Sequence, residues 1–278
     1  MERILILISP SGIDTASLDF ACYLCNLTGS KLTGLFLHAE TKTEISQLAL
    51  PGPKTLGTVV PPVKIPLEHS IATSAALTNQ FNSFCDNRGL KWKPDVLDVH
   101  DTAEVMIETR FSDLLLVSAD LSISDEREQV PTEMVDEILR NAECPVLVAP
   151  LSFSELTEIV FAYDGSASAV YAIRQFTHLF PNLQDHKVTL LEVNDDFGTE
   201  IKYKDKIINY LKMHYSAIGY KVLAGNAENE LFSFFLAKKN VMIVMGAFGR
   251  KYISSILRHS TANLLMKTTP LPIFIAHR

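Results

Sequence analysis

Three short clusters in this chain have residue types and spacing suited to chemistry. The first is Gly246-Ala-Phe-Gly249-Arg250, followed further on by His259-Ser260-Thr261. Two glycines let a backbone approach a bound group closely and can turn their N–H donors toward an anion. Arg250 adds a charge matched to phosphate. His259-Ser260-Thr261 opens a helical pattern, and the free N–H groups at a helix start, with the positive end of its dipole, form an anion site. The second cluster is Asp164-Gly165-Ser166, where glycine permits a tight turn and Ser166 or Ser168 can cap the helix behind it. The third is Cys22-Tyr-Leu-Cys25. A reactive CxxC pair sits at a helix start directly after a strand. This pair lies well inside a helical pattern, 13–27, with Leu18, Ala21, Cys22 and Cys25 on one face, so it reads as buried core thiols. No second cysteine pair or nearby histidine completes a zinc set. Each glycine and serine also has a plain alternative: glycines end many strands, and Ser260 and Thr261 can be ordinary helix caps.

The elements that must position these clusters occur twice. Apolar strands at 4–8 and 159–163 each feed a turn and a helix, the second helix spanning 167–180. Apolar strands follow at 31–38 and 187–194. Later, 113–118 matches 241–246, and 143–149 matches 270–276, each of these last strands following a helix, at 133–141 and 260–267. Continuous apolar runs are what a parallel strand covered on both faces requires. The reading is therefore α/β: two tandem doubly wound domains, residues 1–150 and 151–278, each an open, mainly parallel five-stranded sheet flanked by helices. The period is too long for an array of short solenoid repeats. The first half carries an extra Pro- and Gly-rich connection, 39–66, which reads as a partly ordered flap. The helix after it, 67–87, offers Ile71, Ala75, Phe81, Phe84 and Cys85 as a core face.

In an open parallel sheet, ligands sit beyond the carboxyl ends of the strands where the strand order reverses. The glycine clusters fall there. Gly246-Ala-Phe-Gly249, nine residues, then His259-Ser260 resembles the ATP-binding motif of the universal stress protein family, Gly-x2-Gly-x9-Gly-Ser/Thr. The strand leading into Asp164-Gly165-Ser166 and the last strand with Pro272 fit as well, and the resemblance covers essentially the whole chain as two family domains. It implies adenine and ribose near Ala162, Tyr163, Asp164 and Val193, and phosphates against Gly246, Gly249, Ser260 and Thr261. It also implies pairing through the last strand, here as a pseudo-dimer of the two domains within one chain, with a homodimer of chains as a further option.

Two departures matter. His259 stands where the motif has its third glycine, so its side chain either crowds the phosphates or contacts them. In the first half Ser9 replaces Asp164, and Ser118 and Leu121 replace Gly246 and Gly249. The Gly-Ser/Thr position falls on Thr132-Glu133 or on Pro131-Thr132, depending on the direction of counting. All three motif glycines are missing there, and the first half is expected not to bind ATP in the family manner.

Composition limits the function classes. Hydrophobic residues are 47% and charged residues 21% of 278, with a net charge of -7, which argues against non-specific grip on nucleic acid or anionic lipid. No apolar run approaches a membrane span, the start does not read as a signal peptide, and the cytoplasm is the expected location. The leading reading is a stress-response, non-enzymatic regulatory module that binds ATP or a related adenine nucleotide, with or without Mg²⁺, in the C-terminal domain. The alternative is a nucleotide-free scaffold. There is no Walker-type loop and no nucleophile elbow, so enzymatic activity is expected to be at most slow ATP hydrolysis, with Asp164 able to hold a bridging metal. Trp92 is expected to pack near the third strand. His100-Asp101 and Asp195-Asp196 read as solvated turns, and His214 and Tyr215 as helix-surface residues.

Overall fold

The computed structural model describes residues 1–38, 68–123, 128–194, 203–246, 265–267 and 269–276. The first half runs β1 (Arg3–Ile8), α1 (Thr15–Thr28), β2 (Lys31–Leu37), α2 (Glu68–Asn87), β3 (Asp95–Val99), α3 (Thr102–Thr109), β4 (Leu114–Val117), α4 (Glu133–Asn141) and β5 (Val146–Val148). The second runs β6 (Glu158–Ala162), α5 (Ala167–Leu179), β7 (Lys187–Asn194), α6 (Lys204–Lys212), β8 (Ala217–Ala224), α7 (Ala227–Leu236), β9 (Val241–Gly246) and β10 (Ile273–Ala276). The connection at 39–66 and most of the helix at 260–267 lie outside the described residues.

The apolar runs become strands because both faces of the sheet are covered. In β1, Ile4, Ile6 and Ile8 join the core under α1, α2, α5 and α6, while Leu5 and Leu7 join the core under α3, α4 and α7. This two-sided demand explains the lack of alternation in sequence. All strands form one ten-stranded sheet in the order β3-β2-β1-β4-β5-β10-β9-β6-β7-β8. Each half has the same order, with its first strand flanked by its second and fourth. Pairing is parallel throughout except at the centre, where β5 and β10 run antiparallel with Val148 opposite Ile273, Leu147 opposite Phe274 and Val146 opposite Ile275.

Local chemistry sets the helix limits. Asp14 caps α1 by accepting from the Ala16 and Ser17 N–H groups, and Gly29 ends it in the left-handed region at φ 72°. Cys22 and Cys25 are free and buried. Burial, reinforced by the neighbouring Cys22, pushes the Cys25 thiol up to about 12, so this thiol is held protonated. The CxxC spacing is a helix-face spacing, as the sequence implies.

Some expectations fail for packing reasons. Ala75 is exposed, and Phe81 and Cys85 carry the buried face of α2 with half-buried Phe84 beside them. Trp92 precedes β3, the third strand, and its 50% exposure reflects that strand's place at the sheet edge without contradicting the expected location. Tyr215 is buried. Helix α6 stops at Lys212, and the chain folds back so that the Tyr215 ring meets Phe161 at 5.8 Å between centroids and its hydroxyl lies 3.3 Å from Thr177 Oγ1.

Candidate functional site

The strand order reverses between β6 and β9 in the second half and between β1 and β4 in the first, which opens a crevice at the carboxyl end of each pair. Register places the second-half residues within one step of each other. Phe161 is opposite both Val244 and Leu190, so two residues further along come Tyr163, Gly246 and Glu192; Ala162 is opposite Leu191, so Asp164 and Val193 come one step beyond. The structure thus brings together Ala162, Tyr163, Asp164, Val193 and Gly246. Gly249, Arg250, His259, Ser260 and Thr261 lie outside the described residues.

Tyr163 is buried and its N–H donates to the Leu191 carbonyl at 2.8 Å, which continues the strand pairing one step past β6. Burial raises its phenol above the usual range, with the Glu192 and Asp164 carboxylates adding to the effect. Asp164 is exposed, and its Oδ1 accepts from the Ser166 N–H at 2.8 Å, closing a turn over Gly165 at φ 76°. Ser166 is the cap of α5, its hydroxyl accepting from the Ala169 N–H at 3.1 Å. The turn therefore fixes the carboxylate of Asp164 at the mouth of the crevice, beside a capped helix start.

Gly246 has a tighter constraint than its motif role suggests. A Cβ there would lie 2.5 Å from the Ser168 carbonyl carbon and 2.7 Å from the Ala169 nitrogen. The first turn of α5 rests on the bare Cα at the end of β9, so this glycine is required by helix–sheet packing whatever else approaches it. A cleft of about 680 Å³ adjoins the same turn, lined by Gly165, Ser166, Ala167, Val170, Tyr171, Arg174 and Tyr203. The sequence reading did not pick out Tyr171, Arg174 or Tyr203. The spacing of Tyr171 and Arg174 on one helix face was the available signal.

The corresponding crevice of the first half is tied up by the chain's own groups. The Ser9 hydroxyl lies 2.7 Å from that of Ser11 and donates to the Ser122 carbonyl at 3.2 Å, joining the turn after β1 to the loop after β4. Thr132 is the cap of α4; it accepts from the Val135 N–H at 3.3 Å and donates to the Leu121 carbonyl. At the outer strands, His38 and His100 stack at 4.9 Å and pair with Asp98 and Glu104 respectively, and Asp101 caps α3. Among the described residues, no three His, Cys, Asp or Glu side chains converge as metal ligands. No helix among them is long and apolar enough to cross a membrane.

Fold and crevice define a doubly wound α/β protein whose two halves share one sheet. No family model matches the chain. In sequence it is 30% identical over 148 residues to a universal stress protein of Synechocystis sp., a match covering 50% of this chain and 49% of that protein, so the chain spans about half the length of the curated relative it matches. In fold it is similar to a universal stress protein from Archaeoglobus fulgidus, with a TM-score of 0.70 at 13% identity over 99% of this chain and 98% of that one. A Pseudomonas aeruginosa protein provisionally named for the same family gives 0.56 at 13% identity over 100% and 93%. The chain is thus similar to universal stress proteins, in sequence over half its length and in fold throughout.

Proposed function

We propose that the chain is a stress-response protein that binds ATP or a related adenine nucleotide at the β6–β9 crevice and acts as a non-enzymatic regulatory module. The observation that carries this reading is the gathering of Ala162, Tyr163, Val193 and Gly246 within one step of each other at the carboxyl ends of β6, β7 and β9, with the exposed carboxylate of Asp164 held at the mouth. These residues fit the nucleoside end of such a ligand. Half-buried apolar surface at Ala162 and Val193 suits a base, and a fixed carboxylate suits ribose hydroxyls or an exocyclic amine. Gly249, Arg250, Ser260 and Thr261 supply the phosphate end by motif alone.

The test is calorimetric titration of the full chain with ATP and Mg²⁺, repeated on Asp164→Ala. Gly246 is a poor probe, because any side chain there collides with α5. Saturable binding near one nucleotide per chain is expected, weakened about tenfold or more in the variant by loss of a charge-assisted hydrogen bond. Absence of heat and of thermal stabilisation at millimolar ATP overturns it. The competing reading, a nucleotide-free scaffold, draws on one observation: packing alone accounts for Gly246.

A further inference from the structure

In the first half, the loop after β4 and the start of α4 converge on a single carboxylate. Glu128 Oε2 accepts from the Glu133 N–H, the first residue of α4, at 3.2 Å, and Oε1 accepts from the Ser122 hydroxyl. Ser122 is in turn bound through its carbonyl by Ser9 from the turn after β1. A continuous run of hydrogen bonds, Ser9 to Ser122 to Glu128 to Glu133, therefore crosses the crevice from β1 to α4. An anion is favoured at this position because the N-terminal N–H groups and helix dipole are positive there.

The sequence supplies an independent contrast. Residues 118–133 include Asp120, Asp125, Glu126, Glu128 and Glu133 against a single Arg127, whereas 246–261 include Arg250, Lys251 and Arg258 and no acid. A second anion arriving at the start of α4 meets the Glu128 carboxylate where it would need donors.

We propose that Glu128 is a built-in anion: it fills the place at α4 that a ligand's phosphate would take, and it holds the first-half crevice closed and refusing anions. This is a specificity-determining role for one side chain, and it does not depend on nucleotide binding in the second half.

The experiment is hydrogen exchange on the full chain, followed in peptides covering 118–135, for the native protein, Glu128→Gln and Glu128→Ala, each with and without inorganic phosphate. Native peptides should be protected and indifferent to phosphate. Glu128→Gln keeps the shape but loses the charge and one acceptor, and Glu128→Ala removes both contacts. Each should exchange about tenfold faster in this segment, the effect of losing one charge-assisted hydrogen bond. Millimolar phosphate should restore protection in Glu128→Ala. Native-like exchange in Glu128→Gln overturns the proposal, since charge is then not what closes the crevice. Faster exchange that phosphate does not reverse in Glu128→Ala also overturns it, leaving Glu128 a structural tether only. The readout is local to 118–135, so failure of ATP to bind the second half leaves it unaffected.

Discussion

At the strand ends away from its own crevice, each half places an ion in the same frame, and the two ions are of opposite charge. In the second, Glu158 on β6 is buried and accepts from Thr189 at 2.7 Å and from Lys238 at 2.8 Å, with Lys187 Nζ 3.2 Å away. In the first, the equivalent strand position is Arg3, which donates to Thr33 at 3.2 Å and to Glu108 at 2.9 Å. The threonine occupies the same place on the second strand of each half, and the charges around it are reversed. What the repeat keeps is a partnered ion beside a hydroxyl; its sign is free. At the crevice end the difference is one of kind: a glycine that admits a helix in one half, a serine and a carboxylate lacing in the other.

The largest expected effect tests that glycine. Gly246→Ala should cost about 3 kcal/mol or more in urea denaturation, since the new Cβ meets helix backbone that cannot yield. Ser118→Gly, at the matching first-half position, should cost under about 1 kcal/mol, the worth of its hydrogen bond to Asp120. Equal losses would dissolve the contrast.

Next come the reversed ions. Glu158→Ala strands Lys238 beside a buried site and should cost about 2 kcal/mol. Arg3→Ala should cost about 1 kcal/mol, because Arg3 itself keeps access to water whereas Glu158 is buried among three partners. Acid sharpens the same comparison. Burial alone would raise the Glu158 carboxyl, but hydrogen bonds from Lys238, Thr189 and Lys187 together lower it below the usual range. Its contribution is therefore complete above the unfolded carboxyl value of about 4.3 and is lost as pH falls below that, through the depressed folded value. Glu158→Gln should flatten this acid limb of the stability curve, and an unchanged limb would refute the assignment.

The smallest effects are the caps. Ser166→Ala and Thr132→Ala should each cost about 1 kcal/mol by thermal denaturation. Thr132→Ala should be the larger of the two, since that hydroxyl also binds the Leu121 carbonyl.

The skeleton was legible in the residues because its causes are local. Uninterrupted apolar strands, capped helices and the turn at Gly165 announce themselves in short windows. The failures are long-range. Tyr215 reads as a helix residue because nothing nearby says that α6 ends and the chain turns inward to Phe161. Trp92 is expected beside the third strand, but only the strand order reveals that β3 is an edge and leaves the ring half exposed. Gly246 stands out in the sequence as a glycine at a strand end, yet its contact with Ser168 joins β9 to the helix after β6, which no short window shows. In the first half the sequence points to Glu133 as an acid at the helix start. The structure uses the N–H of Glu133 as a donor and brings the acid from Glu128, five residues earlier.

The antiparallel register of Val148 with Ile273 has a further consequence. Since every other pairing is parallel, the strands of the two halves point in opposite directions, and their crevices open on opposite rims of one sheet. The molecule has two mouths facing away from each other. Whatever enters one cannot touch what enters the other, so one mouth can be sealed without narrowing its twin. A signal between them would travel through the sheet, across the seam where β5 meets β10, and through the helix layers whose cores both halves share.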